Sequence, residues 1–166
     1  MLYLLDANML IDANRDYYPV VRVPEFWEWL EHMGEKGHIK LPLEIHEEIK
    51  DYKDDLAKWV NGAELKEMLL LKDEADPVIV DRVVRDGYAP DLRDDEVEKL
   101  GRDPFLIAYA LSDLGERCVV TTETSEPKKQ RANRKIPDVC NALGIPCYNT
   151  FKMLRELDFK TGWNAG

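Results

Sequence analysis

Cysteine and histidine are scarce in this chain, with three of each among 166 residues. Cys118, Cys140 and Cys147 are odd in number and stand in apolar surroundings, so they read as core thiols of a reducing cytoplasm. A zinc site requires closer pairs with a histidine nearby, and neither is present. His32, His38 and His46 show no ligand spacing and no pairing with a Ser or Cys nucleophile, which argues against triad hydrolysis. A glycine-rich phosphate loop is also missing, so ATP or dinucleotide use is unsupported. No apolar run approaches the roughly 18 residues of a membrane span, and MLYLL at the start is too short and wrongly flanked for a signal peptide. A cytoplasmic protein without membrane contact is the expectation. Positive charge is short as well. Lys and Arg number 23 against 33 Asp and Glu, a net charge of −10, which opposes nonspecific nucleic-acid binding by the whole surface. That balance leaves a nuclease open, because acids gathered in a metal site count toward it.

What is present is an alternation of strands and helices. Leu2 to Leu5 suits a buried strand. Pro24 to about Met33 places Phe26, Trp27, Leu30 and Met33 at helical spacing, and a brief strand over Ile39 to Leu41 follows. From about Leu43 to Val60 one apolar stripe, Ile45, Ile49, Tyr52, Leu56, Trp59 and Val60, predicts a single long helix. On its wheel Glu48 lies at the stripe's edge, and Glu44 and Glu47 point further toward solvent. Gly62 to Gly101 reads as two or three helices. Asp103-Pro104 opens a strongly apolar helix, then come a strand over Cys118 to Thr121, a short helix from Pro137 to Gly144, a strand over Ile145 to Tyr148 and a terminal helix. The pattern implies a three-layer α/β/α domain with a short, mainly parallel sheet flanked by helices, over residues 1–160, and a frayed tail at 161–166.

Sheets of this kind carry their sites at the carboxyl ends of the strands. Asp6 in YLLDAN and Glu123 in VVTTE each follow a predicted strand, Asp103 in GRDPFLIAYAL begins a helix that precedes one, and Glu48 lies in LPLEIHEEIK. Magnesium and manganese are hard cations, so converging carboxylates and substrate oxygens suffice to hold them. Two ions about 3.5 to 4 Å apart activate an attacking water and stabilise the leaving oxygen. Each acid also has an ordinary reading. Asp6 and Asp103 suit helix N-caps, Glu48 a solvated helix face, and Glu123 a loop acid.

The four frames taken together resemble the PIN domain, a family of metal-dependent ribonucleases. YLLDANMLID is similar to its opening strand, with Asp6 ending it and the small polar Asn8 two positions on. Pro42 to Ile49 resembles the following helix, with Glu48 in the acidic place. Asp103-Pro-Phe-Leu-Ile-Ala-Tyr-Ala is similar to the family's Asp-x-x-x-x-Ala-x-Ala helix start, and Val120-Thr121-Thr122-Glu123 to its Val-Thr-x-Asp strand end, with Glu in place of Asp. The resemblance runs from Leu2 to about Leu157. Arg134-Lys-Ile-Pro-Asp-Val-Cys140 looks like a stand-alone PIN-like subgroup of bacterial and archaeal toxin candidates, the DUF4411 domains. Two departures stand out: Glu123 is longer than the usual Asp, and Gly62 to Gly101 is longer than in the smallest toxins.

The resemblance implies a PIN-like fold and an endoribonuclease that uses Mg2+ or Mn2+ to cut RNA. Asp6, Glu48, Asp103 and Glu123 would be its catalytic and metal-binding residues, and the chain would be the toxin of a type II toxin–antitoxin pair. An antitoxin protein and a homodimer are the partners it implies. Lys128, Lys129, Arg131, Arg134 and Lys135 fall within eight positions, where they can hold an RNA backbone or form a solvated loop. Asn8 and Thr121 are further substrate contacts to consider, although strand-end hydroxyls more often satisfy backbone groups. Trp27, Trp29 and Trp59 read as core or interface residues, and helix faces at Phe26 to Leu30 or Trp59 to Leu71 are open to a second copy or an inhibitor. A noncatalytic RNA- or protein-binding module and a DNA-directed structure-specific nuclease are the alternatives.

Overall fold

Leu2–Leu5 forms the central strand β1, and three of its four residues are buried. A continuous apolar run rather than an alternating one is what a strand covered on both faces requires. β1 pairs in parallel with β2 (Ile39–Lys40) on one side and with β3 (Arg117–Val120) on the other, and β3 pairs in parallel with β4 (Cys147–Tyr148). The sheet order is β2-β1-β3-β4. This computed structural model, which describes residues 1–166, is therefore an α/β fold with an all-parallel sheet flanked by helices, in keeping with the three-layer expectation. Its buried apolar side chains form one continuous cluster of 39 residues, so a single core serves the whole chain.

Helix α1 (Ala7–Asp12) leaves β1 directly and runs into a π-helical turn, Ala13–Tyr17. Helix α2 (Pro24–Glu35) buries Phe26, Trp27, Trp29 and Leu30, and the Trp27 indole donates to the Tyr18 carbonyl at 2.6 Å. The Phe26 to Leu30 face is thus spent on the core, not open to a partner. The Trp59 to Leu71 stretch is spent in the same way, since Leu65, Leu69 and Leu71 are buried and Trp59 donates to Glu31 at 2.7 Å.

The long helix expected from Leu43 to Val60 is two helices, α3 (Leu43–Ile49) and α4 (Asp55–Val60). Asp54 caps α4 by accepting from the Ala57 amide at 2.9 Å, and the chain folds back so that His46 Nε2 meets the Val60 carbonyl at 3.1 Å. In one helix those fourteen positions would span about 21 Å. The apolar stripe is real, but Tyr52 lies in the connection and is 45% exposed.

Helices α5 (Ala63–Leu69), α6 (Pro77–Arg82) and α7 (Asp94–Leu100) occupy the middle region, and a second π-helical turn, Val83–Tyr88, extends α6. Helix α8 (Asp103–Leu111) is buried nearly all round and packs on β1 and β3, as a helix apolar on every face must. Helices α9 (Ile136–Leu143) and α10 (Thr150–Glu156) complete the chain. The C-terminal residues fold back onto α2, where the Trp163 indole donates to the Glu25 carbonyl at 3.1 Å, so the segment expected to fray is anchored. Cys118 and Cys140 are buried and Cys147 is half-buried, all as free thiols. No helix is long and apolar enough to cross a membrane.

Candidate functional site

The register Leu5↔Val120 sets Asp6 and Thr121 side by side just past the carboxyl ends of the two central strands. There the Thr121 hydroxyl donates to Asp6 Oδ2 at 2.7 Å and accepts from the Glu123 amide at 3.1 Å. Both Asp6 and Thr121 are buried. Thr121, considered above as a substrate contact, is therefore committed to orienting Asp6 and turning the chain toward Glu123. Asp6 occupies the N-cap position of α1 but makes no capping hydrogen bond. Burial pushes its carboxyl up to about 6, and the charges of Glu123 and Glu48 add to that push while the Thr121 hydrogen bond opposes it.

Asp103 also departs from the capping reading. It is the first residue of α8, not its cap, and no side chain caps that helix. The Asp103 carboxyl is half-buried and is pushed up to about 8 by burial first, then by the charges of Asp6, Glu123 and Glu48, with Lys135 opposing. Four acids from four separate segments therefore act on one another across the same end of the sheet. As they stand, no three His, Cys, Asp or Glu side chains are arranged to hold a metal ion.

Glu48 corrects the helical-wheel reading. It is exposed, whereas Glu44 and Glu47 are half-buried. The wheel assumed one straight helix; because α3 is short and packs beside α8, Glu44 turns inward, where the Tyr109 hydroxyl donates to it at 3.3 Å. Surrounding protein still pushes the Glu48 carboxyl up, with Arg102 opposing. On an open face water screens that push, so it carries less weight than at Asp6 or Asp103.

Glu123 is fastened at both oxygens. Oε2 accepts from the Ile136 amide at 2.8 Å, at the start of α9, and Oε1 lies 3.8 Å from Lys135 Nζ. The extra methylene relative to Asp lets it reach that helix.

The basic run is mostly neutralised within the chain. Arg131 bonds Glu96 twice at 2.9 Å and Asp91 at 2.8 Å. Arg134 donates to the carbonyls of Gly87 and Asp138, and Lys129 pairs with Glu126 at 3.2 Å. Lys135 lies near Glu123, Lys128 makes no ion pair, and the charge of Arg134 meets carbonyls but no carboxylate. A chain of net charge −10 supplies internal partners for its cations, so to clamp RNA Lys129 and Arg131 would give up carboxylates and Arg134 two carbonyls. Asn8 is exposed on α1 and makes no side-chain hydrogen bond within the protein.

Two residues beyond the expected set, Arg102 and Asp12, and one from the basic run, Lys135, bear on the site. Lys135 faces both Glu123 and Asp103, Arg102 faces Glu48, and Asp12 accepts from the Thr122 hydroxyl at 2.6 Å. Asp12 was findable, six positions after Asp6 in the same short motif. The role of Lys135 was hidden among its basic neighbours. A cavity of about 570 Å³ around Arg134, Asp138 and Cys147 contains none of the four acids; one of about 400 Å³ reaches Glu123.

Fold and site together define an α/β protein with an all-parallel sheet and an acidic cluster at its carboxyl edge. The chain belongs to the family described as Domain of unknown function (DUF4411), whose model matches residues 3–161. No curated protein and no solved structure matches it.

Proposed function

We propose that this protein is a divalent-metal-dependent endoribonuclease with a PIN-like site, acting as the toxin of a toxin–antitoxin pair. The observation that carries the reading is that Asp6 and Asp103, the two carboxyls pushed furthest up, are spent on neither caps nor ion pairs and lie within reach of each other's charge. Buried like charges without partners are costly, and an all-oxygen set of this kind fits a hard cation such as Mg2+ or Mn2+.

Asp6, Glu48 and Asp103 would hold the ion. When bound, it would supply charge that activates water and stabilises the leaving oxygen of a phosphodiester. Thr121 holds Asp6 in one orientation through its 2.7 Å hydrogen bond. Asp103 retains a proton near neutral pH while no cation competes for it. Glu123 ties the start of α9 to the end of β3, which fixes Lys135 beside the acids. There Lys135 is placed to meet a phosphate oxygen.

Incubating the purified protein with single-stranded RNA and Mg2+ or Mn2+ tests this. Cleavage is expected, and Asp6→Asn and Asp103→Asn should each reduce it by more than about 100-fold, the order lost when a charge-stabilising group is removed. Equal cleavage by the variants, or none with either ion, overturns the proposal. One observation favours a noncatalytic module instead: Glu123, the fourth acid, is already engaged by Ile136 and Lys135. That reading predicts no rise in Tm with divalent ions. A DNA strand beside the RNA separates the DNA-directed alternative.

A further inference from the structure

Beside Glu123, a cavity of about 400 Å³ opens between the end of the Ala13–Tyr17 turn, the end of β3 and the start of α10. Its size falls in the roughly 300–1,000 Å³ range of small-ligand pockets. Tyr17 and Phe151 line it, edge to face, with ring centroids 5.2 Å apart at 83°. Both rings remain open to water, Tyr17 at 52% and Phe151 at 41%. The platform is firmly seated. Asn14 accepts from the Val20 amide at 3.1 Å across the turn, and neighbouring Tyr18 stacks on Phe26 at 4.3 Å.

The polar part of the lining is acceptor-rich, and two cations of the chain, Arg15 and Lys135, answer most of its three negative charges. Asp12 and Asp16 pair with Arg15 at 2.8 and 2.7 Å, and Glu123 is held by Ile136 and Lys135. A phosphate would find no cation in the lining, and a guest guanidinium or ammonium would have to compete with Arg15. A neutral, planar group bearing N–H donors meets neither obstacle: its face can stack on the rings, and its edge can donate to Asp12, Thr122 or Glu123. Thr150, which also lines the cavity, holds a buried hydroxyl with no partner in the protein.

We infer that this cavity is a base-recognition pocket, which takes one unpaired nucleobase of a single-stranded nucleic acid between the Tyr17–Phe151 pair and the acceptors at the end of β3. The inference rests on the nuclease reading for its substrate class and adds to it a place for the base beside the reacting phosphate, since Glu123 belongs to both sites. Aromatic stacking tolerates any base, so the acceptors would set the preference, favouring adenine, cytosine and guanine, which carry an exocyclic amino donor, over uracil, which offers only its N3–H.

The test is the affinity of the full chain for short fluorescein-labelled oligonucleotides of A, C, G and U, measured by anisotropy in EDTA so that no strand is cut. Tyr17→Ala and Phe151→Ala should each weaken binding about 5- to 150-fold, the equivalent of roughly 1–3 kcal/mol per stacked base, with Tm unchanged because both rings are exposed. Affinities within twofold of the unsubstituted protein in both variants overturn the pocket. If metal-dependent cleavage is meanwhile intact, the nuclease reading stands without it. Binding that depends on the rings, with no cleavage under any divalent ion, keeps the pocket and overturns the nuclease. An arginine-rich peptide that binds more tightly than all four oligonucleotides, and loses affinity in Phe151→Ala, makes this a cation pocket for a protein partner and overturns the inference.

Discussion

Asp103 begins a helix with almost no exposed face, so its carboxyl sits where water is thin and other acids are near. Its acid form is favoured in the folded protein, and its carboxyl is pushed up to about 8. Below about 4 both folded and unfolded chains are protonated there. As pH rises from there to about 8, the unfolded chain gives up its proton first, so the stability contributed by the neutral acid is progressively lost. Asparagine keeps the shape and cannot ionise. In EDTA, Asp103→Asn should therefore match the unsubstituted protein in Tm near pH 4 and exceed it increasingly up to about pH 8, by several degrees at roughly 2–4 °C per kcal/mol for a chain of this length. Thermal melts across that range check the sign. A difference that is flat, or that favours aspartate as pH rises, removes the electrostatic basis of the site.

At the scale of elements, the acids are aligned through helix contacts and not by the sheet alone. Helix α9 carries the Ile136 amide that fixes Glu123, and it lies against the Val83–Tyr88 turn, where Gly87 leaves space for it. A Cβ at Gly87 would come within 2.7 Å of Val139 Cγ1 and 3.3 Å of Leu143 Cδ1. Val139 is β-branched and has little rotamer freedom to yield, so Gly87→Ala should displace α9 and destabilise the fold by about 1–3 kcal/mol. A chemical denaturation curve with an unchanged midpoint would show that the helix accommodates the methyl freely. Contacts of this kind mark the limit of what the chain discloses unaided. The apolar runs of β1 and α8 are intrinsic signals, and so Asp6 and Asp103 were legible at their ends. Glu48 was not correctly placed, because its exposure depends on the break at Asp54 and on how α3 leans on α8, which no periodicity encodes. Residue type alone leaves capping open for Asp6 and Asp103, whereas the register of β1 on β3 gives Asp6 to Thr121, and α8 starts at Asp103 itself.

For the molecule as a whole, the question is how a chain of net charge −10 holds a polyanion. If the basic run clamped the backbone with all five cations, counterion release from a single strand would give log K against log salt a slope of about −3.5, at roughly −0.7 per phosphate neutralised. The internal partners say otherwise: Arg131 is paired with Asp91 and Glu96, Lys129 with Glu126, Lys135 is beside Glu123, and Arg134 donates to two carbonyls. Lys128, with Lys135 at the site and Arg134 held only by carbonyls, leaves one to three charges for phosphate, so the slope should lie between about −0.7 and −2.1. Affinity would then come from the ion at the acidic cluster and from stacked bases, both weakly sensitive to monovalent salt. Replacing Lys128 with Ala should flatten the slope further without changing Tm. Arg131→Ala should instead lower Tm, because it strands Glu96 and Asp91, while leaving the slope nearly unchanged. Titrating one labelled RNA strand into each protein at several NaCl concentrations decides between the two pictures. A slope near −3.5 that collapses in Arg131→Ala would restore the basic loop as the RNA clamp and show that its internal ion pairs open when RNA binds.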